Sequence, residues 1–427
     1  MSENVKPLRY GESFSYKTLE MPEKGSTVLV GMSGGVDSTL TALLLQQRGC
    51  NVIGVTMSTW NDDMTLNCSA DGLRNSCYGP DEAIDIEACT KFCQEHDIEY
   101  HVIDVKDVYK HQVLDYFKAE YRAGRTPNPC IRCNPLVKFG AMPAAAEKQG
   151  IKFDYFCTGH YARVIRPDAC VSDDSADRKS AAGSSETMGS SATAGTAAAA
   201  GTAAAHGKAP VMIMQASDMT KDQSYFLYRV PSSFLERVRF PLGTMTKKEV
   251  FEIARSMGLA AAEKAESQDF VPPEFFNVIF SDKPPVPGDI TDLEGKVIGH
   301  HKGIEYYTIG QRRGLGVSSS KPLYVHSIDA ANNRVVLSDN ESLLEKGLVM
   351  SDCVWPGGFA PDYEFRANVK IRLASKPVAA TIRPLTNDEY EILFDFPQRA
   401  VAPGQSAVLY LDSIILGGGI ISRPIHG

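Results

Sequence analysis

Two clusters in this sequence carry side chains suited to chemistry. The first is Ser33-Gly34-Gly35-Val36-Asp37-Ser38, preceded by Gly31 and Met32. Glycines let a backbone approach phosphate oxygens closely. A helix that follows them presents free N–H groups and the positive end of its dipole. Ser33 and Ser38 add hydroxyl donors. Asp37 is the odd member, because a carboxylate repels phosphate; it makes sense if Mg2+ sits between the two. The Lys-Ser/Thr pair of a Walker loop is missing, which excludes an ordinary γ-phosphate NTPase. The bland alternative is a Gly-Gly turn joining strand to helix. The second cluster is Thr126-Pro127-Asn128-Pro129-Cys130-Ile131-Arg132-Cys133-Asn134. Its two prolines predict an extended loop, and the C-x-x-C spacing sets both sulfurs on one side. Arg122, Arg125 and Arg132 would raise the thiolate fraction. Half a zinc site, two structural thiols and a sulfur-handling site (persulfide or iron–sulfur cluster) are the competing readings. No second C-x-x-C or His pair follows at zinc spacing.

These clusters need elements to hold them. Ser26–Gly31 reads as a short strand, Thr39–Gly49 as a helix with an apolar face, and Asn51–Met57 as a second strand: a βαβ unit around the glycine loop. The alternation continues with helices over 81–96, 110–123 and 135–148, and strands over 99–105 and 155–157. That pattern implies a mostly parallel sheet with both faces covered. Residues 168 to about 208 are Ala, Ser, Gly and Thr with almost no large apolar side chain. Such a stretch reads as a disordered insertion. It lies between two strand-like runs, Ala162–Ile165 and Val211–Gln215, which predict a hairpin. Residues 246–256 read as a helix capped by Thr246. From Pro284 onward short strands alternate with turns, and the chain from Gly347 is nearly all β, which suits a small antiparallel barrel or sandwich.

Composition bounds the rest. The chain of 427 residues has room for two to three domains at about 150 residues each. Lys plus Arg is 44 against 52 Asp plus Glu, a formal charge of −8. Bulk charge therefore does not grip nucleic acid, and polyanion binding would have to be local and salt-sensitive. The ten cysteines are scattered. No secretory leader pattern opens the chain and no run of 18 apolar residues appears, so a cytoplasmic protein with no membrane span is expected. Cysteines in that setting point to metal, catalytic or buried thiols rather than a disulfide framework.

The loop SGGVDS, placed after an apolar strand and before a helix, resembles the pyrophosphatase loop of the N-type ATP pyrophosphatases. Further along stand GRTPNPCIRCN (124–134), TGHYAR (158–163), KDQSYFLY (221–228), YTIGQRRGLG (307–316), APGQSAV (402–408) and LGGGII (416–421). In this order the set is similar to the bacterial tRNA-specific 2-thiouridylase family. The resemblance spans nearly the whole chain outside residues 1–25 and the insertion. It implies an α/β architecture. An N-terminal parallel-sheet ATP pyrophosphatase domain (26–239, after an extension over 1–25) would precede a small central domain (240–339) and a C-terminal antiparallel β-barrel (346–425). It implies adenylation of the C2 oxygen of the wobble uridine in tRNA, then sulfur attack at C2 with loss of AMP. AMP is a far better leaving group than a carbonyl oxygen, so ATP activates the base before the nucleophile arrives.

The resemblance also assigns residues. Gly31–Ser38 would bind ATP, Met57 would pack on adenine and Gly159 would lie beside the nucleotide, with His160 adjacent to it. Asn128, Pro129 and Cys130 would meet the target base. Cys133 matches the catalytic nucleophile. Lys221, Asp222 and Gln223, and the barrel residues Arg372 and Leu373, match tRNA-contacting positions. Gln311-Arg312-Arg313 sets two cations in a Gly-rich turn suited to phosphate contacts.

Two departures stand out. Many members carry Asp where this chain has Cys130. The family's second catalytic cysteine, in a stretch like SQDICF, has no counterpart in Glu266-Ser267-Gln268-Asp269-Phe270-Val271-Pro272. Two sulfur chemistries follow. Cys130, Cys133 and a third thiolate (Cys77, or else Cys68) could hold a 4Fe-4S cluster whose open iron binds hydrosulfide. Or Cys133 could carry a persulfide from a sulfur-donor protein and Cys130 resolve it. The competing classes are a non-catalytic tRNA-binding relative and another adenylating pyrophosphatase.

Overall fold

A computed structural model describes residues 9–60, 78–79, 82–168, 209–263, 270–271, 276–385 and 388–427. Its first unit is built on five parallel strands in the spatial order Glu99–Asp104, Asn51–Ser58, Thr27–Gly31, Tyr155–Thr158, Val238–Arg239. Thr27–Gly31 is central. Val28, Leu29 and Val30 are fully buried there, as a strand covered on both faces must be. Because side chains alternate across a strand, Val28 and Val30 pack under the helices Val36–Gln47 and Glu82–Glu95, whereas Leu29 packs with Val113, Phe117, Val137 and Met142 on the opposite face.

The hairpin expected around the Ala-rich segment is present. Ala162–Pro167 and Met212–Gln215 pair antiparallel, with Ala162 opposite Gln215 and Ile165 opposite Met212. The Ala-rich insertion lies outside the described residues apart from Asp168. This hairpin leaves the parallel sheet and joins the C-terminal sheet, where Met214 pairs with Ile414. There the strands Leu344–Val354, Phe365–Lys370, Val378–Pro384, Tyr390–Arg399, Ser406–Leu411 and Ile414–Ile425 close into an antiparallel barrel. Closure removes the unpaired edges that would otherwise template aggregation. Between the two units lies a four-stranded sheet, residues 288–338, around Ile290, Val325, Val335 and Leu337.

Three features depart from the sequence expectations. The stretch before residue 26 is not a loose extension where it is described. Tyr16–Thr18 pairs with Ile165–Pro167, and Tyr10, 2% exposed, sits in the barrel core against Trp355, Phe359 and Phe365. Aromatic contacts made across the whole chain leave no local periodicity to read. The helix Lys247–Ser256 does not belong with the central strands. Its Val250 and Ala254 pack with Leu40, Leu43 and Val30 in the first unit. The helix expected from Pro135 opens instead at Cys130. Pro129 (φ −63°, ψ −28°) already holds helical angles, the conformation its ring favours. Residues Cys133–Ala141 then widen into π-helical turns, a form often found at functional sites.

Truncating Tyr10 to Ala should destabilise the barrel by about 3 kcal/mol, the usual scale for deleting a buried aromatic ring. Trp355, in ring contact with Tyr10 at 5.4 Å, reports it: the urea midpoint followed by tryptophan fluorescence should fall, and an unchanged midpoint would show that the terminal segment is not part of the barrel core.

Candidate active site

The glycine loop lies between the central strand and the helix Val36–Gln47. Met32 is anchored by its N–H to the Val55 carbonyl at 2.8 Å. Gly34 has φ +70°, a conformation that favours glycine. Ser38 does not simply point outward as a phosphate donor. Its Oγ accepts from the Ser33 N–H at 3.2 Å and donates to the Gly35 carbonyl at 3.0 Å, closing the loop on itself. What the loop offers an anion is therefore backbone N–H groups and a helix start.

Asp37 stands in the first turn of that helix, its side chain 31% exposed. Tyr161 donates its hydroxyl to one carboxylate oxygen at 2.9 Å, and Lys247 Nζ lies 2.8 Å from both. Gly159 abuts the same residue: a Cβ built there would come within 2.7 Å of the Asp37 backbone carbon and 2.9 Å of its Cβ. That close approach requires glycine at position 159. His160 is 2.6 Å from the Thr158 hydroxyl, and its ring packs against Phe139 and Phe240. Burial, with Lys138 nearby, holds it well below the ordinary imidazole range, so it is neutral and faces the core. Met57 is half-buried on the second strand, packed against the main core. Beyond it the Glu82 carboxylate accepts from Ser58 Oγ (2.7 Å), Thr59 N (2.7 Å), Thr59 Oγ1 (2.8 Å) and Trp60 N (3.0 Å). One side chain thereby fixes the carboxyl end of that strand, where ligands of open α/β sheets gather.

The cysteine segment is held from outside. Thr126 N–H donates to the Pro403 carbonyl at 2.8 Å, and the Gln405 side-chain amide donates to Thr126 O (3.3 Å) and Pro127 O (3.2 Å). At Gly404 (φ +90°) a Cβ would meet Thr126 O at 2.9 Å. The APGQ turn of the barrel is thus the seat of the C-x-x-C loop. Asn128 is buried, Ile131 is fully buried, and Cys130 and Cys133 are half-exposed on successive helical turns. Asn134 donates to the Phe226 carbonyl at 3.0 Å. Phe139, on the same helix, carries the contact to His160 and through Gly159 to Asp37.

The three arginines expected around the thiols make further contacts. Arg122 pairs with Asp282 at 3.0 Å, Arg125 with Glu120, and Arg132 lies over the Tyr116 ring at 4.8 Å. The expected tRNA-contacting residues separate likewise. Asp222 is buried, its carboxylate accepting from Gln215 (3.2 Å), Ala216 N (3.0 Å) and Ser224 Oγ (2.8 Å). Such a carboxylate positions its segment rather than presenting itself to a partner. Gln223 bonds Tyr161 through both main chain and side chain at 2.9 Å. Lys221 is half-buried. Arg372 donates to the Arg399 and Ala400 carbonyls, and Leu373 is 40% exposed beside it.

Cys77, Cys68 and Glu266–Asp269 lie outside the described residues. Phe270 and Val271, where the second catalytic cysteine was missed, are core residues: Phe270 packs on Tyr78, Tyr109 and Phe117, and Val271 is 7% exposed. Burial pushes the thiols of Cys89, Cys157 and Cys353 up, and that of Cys93 up to about 12, which fits packing roles. Among the described residues no three His, Cys, Asp or Glu side chains gather to hold a metal ion, and no helix is long and apolar enough to cross a membrane.

Family models described as tRNA methyl transferase HUP domain, tRNA methyl transferase PRC-barrel domain and Aminomethyltransferase beta-barrel domain match residues 26–272, 276–339 and 345–421 in turn. The tRNA-specific 2-thiouridylase MnmA of Endomicrobium trichonymphae is 38% identical over 92% of this chain and 98% of its own. The protein of the same name from Roseiflexus castenholzii is 37% identical over 93% of this chain and 99% of its own. The chain belongs to the tRNA-specific 2-thiouridylase MnmA family. Motif reading did not single out Lys247 and Tyr161, which meet Asp37, or Glu82, which fixes the strand end. The sequence signals were TGHYAR, which contains Tyr161, and the Thr-x-x-Glu capping pattern, which marks the helix start at Thr246 but not what Lys247 faces.

Two tests follow. Gly404→Ala should reduce thiolation at least about tenfold, given strain at positive φ plus a backbone clash, while leaving ATP affinity unchanged; equal loss of both would show that the turn supports the fold rather than the cysteine loop. The second concerns pH. Burial depresses His160, His301 and His326 below the imidazole value. A depressed histidine contributes stability that is present above its unfolded pKa and lost as the pH falls below it. Urea midpoints measured from pH 8 to 5 should therefore decline below about pH 6.5, and His160→Gln should flatten that decline.

Proposed function

We propose that this chain is an ATP-dependent tRNA-uridine 2-sulfurtransferase acting on wobble uridine. The observation that carries the reading is the physical linkage of a phosphate-binding loop to a paired-thiol loop, through Asp37, Gly159, His160 and Phe139 to the helix of Cys133. A pure RNA-binding module has no use for that linkage. The matched models carry methyltransferase wording, whereas the full-length relatives are named 2-thiouridylases; two half-exposed thiols beside an ATP-type loop suit sulfur transfer.

In the proposed reaction the C2 oxygen of uridine attacks the α-phosphorus of ATP. The bond to pyrophosphate breaks, and the adenylated base then loses AMP to a sulfur nucleophile. Asp37, in the first turn after the phosphate loop, is the hard oxygen ligand that would hold Mg2+; the ion would neutralise phosphate charge there. This chain's own part is to bind phosphates on N–H groups, keep the strand end rigid through Glu82, and hold Asn128–Cys133 against the barrel.

For the sulfur step, Cys130 and Cys133 provide two half-exposed thiols. With a persulfide on Cys133, its terminal sulfur attacks C2. Cys130 then attacks the Cys133 sulfur and releases the new C=S group. A Cys130–Cys133 disulfide results, which a thiol reductant must reset with two electrons. The cluster reading takes its third thiolate from Cys77, outside the described residues; three thiolates would make a set of soft ligands for iron.

Replacing both Cys130 and Cys133 by Ser should abolish thiolation while ATP binding and tRNA-dependent pyrophosphate release persist; thiolation by that double variant would overturn the reading. Anaerobic purification with iron and sulfide assays on wild type and Cys77→Ala separates the two sulfur steps. Iron lost with Cys77 supports the cluster, and an iron-free protein that thiolates tRNA supports the relay.

A further inference from the structure

We propose that Lys247 is the phosphate-binding cation of the ATP site, meeting the β- and γ-phosphates and stabilising pyrophosphate as it departs. The inference deepens the sulfurtransferase reading and rests on it. It starts from a deficit. Residues 31–38 contain no Lys or Arg, and Asp37 adds negative charge where a polyanion must bind. Some cation has to come from elsewhere in the fold.

Lys247 is placed to be that cation. Its Nζ lies 2.8 Å from both Asp37 oxygens, in the first turn of the loop helix. The stem is aimed with unusual firmness. Thr246 and Glu249 form a reciprocal capping box, with Glu249 N–H donating to Thr246 Oγ1 at 3.2 Å and Thr246 N–H donating to Glu249 at 2.7 Å. Lys247 N–H in turn donates to Asp218 at 2.9 Å. The ammonium runs between the rings of Tyr161 (5.6 Å) and Phe251 (4.9 Å). Its side chain is 9% exposed against 31% for Asp37.

Local energetics do not explain a lysine here. The first turn of a helix is the end where the dipole disfavours a cation. A largely buried ion pair adds little net stability over an apolar pair of the same shape. What the arrangement does supply is a desolvated ammonium on aromatic walls, directed at the start of the phosphate-loop helix. When the uridine oxygen bonds to the α-phosphorus, the electron pair of the breaking P–O bond goes to pyrophosphate. Lys247 donates hydrogen bonds to that growing charge and keeps its proton. Asp37 is its partner until phosphate arrives.

The test is calorimetric binding of ATP, AMP and inorganic pyrophosphate to wild type, Lys247→Met and Lys247→Arg, together with tRNA-dependent AMP release. Losing a charge-assisted hydrogen bond should weaken ATP and pyrophosphate about 10- to 100-fold. AMP affinity should stay within about twofold, and Arg should restore part of the loss. Equal weakening of AMP and ATP would make Lys247 a strut for Asp37, and no weakening would remove it from the site; either overturns the proposal. If Lys247→Met does not fold, acetic anhydride labelling of wild type decides: ATP and pyrophosphate should protect Lys247 and AMP should not, and equal labelling with or without pyrophosphate overturns the assignment. A wild type that binds no ATP takes down the sulfurtransferase reading as well. A wild type that binds ATP and releases AMP, with Lys247→Met behaving identically, sinks only this inference.

Discussion

The cysteine loop has no ladder of its own, and the site depends on how that is resolved. Residues 126–128 are buried outside any helix or strand, Pro127 donates no N–H, and Pro129 already turns into the helix. A buried segment of that kind needs partners for its carbonyls. The barrel turn at Pro403–Gln405 supplies them, taking Thr126 N–H and giving two amide bonds to Thr126 and Pro127. The cysteine loop of one unit is therefore seated on a turn of another. That turn is far away in sequence: Gln405 is 278 and 279 positions from the carbonyls its side chain holds.

The same logic joins the rest of the molecule. Tyr225 and Tyr228, in the segment after Asp222, reach the barrel at Ser406 with hydroxyl contacts of 3.0 and 3.1 Å. The ring of Tyr228 needs space, and Gly418 provides it. A Cβ on Gly418 would meet the Tyr228 ring at 3.0 Å and the Ala407 carbonyl at 2.6 Å. Glycine normally weakens a strand; here it marks a place where another element lies against the sheet. With the hairpin from Ala162 to Gln215 continuing into the barrel sheet, the nucleotide loop and the thiol loop cannot shift independently without breaking buried contacts.

How legible this was in the sequence depended on the range of the interaction. The βαβ elements and the Thr246 cap follow from patterns a few residues long, and their residue types announce them; the hairpin pairs Ala162 with Gln215 across the Ala-rich segment and was readable only from the strand-like runs on either side. The glycines of SGGVDS and TGHYAR were readable for the same reason, although what Gly159 avoids, the Asp37 backbone, was not. Lys247 faces Asp37 across 210 positions and Tyr10 meets Tyr363 across 353. No periodicity encodes such pairs. Asp222 misled for the opposite reason: it stands in a charged motif that reads as surface, yet the turn folds its carboxylate inward to cap Ala216 and Ser224. The arginines near the thiols show the same limit, because sequence gives the proximity of cations but not the carboxylates that Arg122 and Arg125 pair with, Asp282 and Glu120.

Charge completes the argument. The chain is net negative, its phosphate loop carries a carboxylate, and the arginines flanking its thiols are engaged. Polyanion binding cannot therefore rest on diffuse attraction. It would have to be built from individually placed groups: backbone N–H groups at a helix start and, in the proposed reading, a lysine held in aromatic walls and guanidiniums such as Arg372 braced on carbonyls. Placed groups act over short distances and only in the right geometry. They bind an anion strongly once it is seated and attract it weakly before. A protein arranged this way selects its nucleic acid by fit, because the field around it offers little reward to a phosphate chain that does not reach those positions.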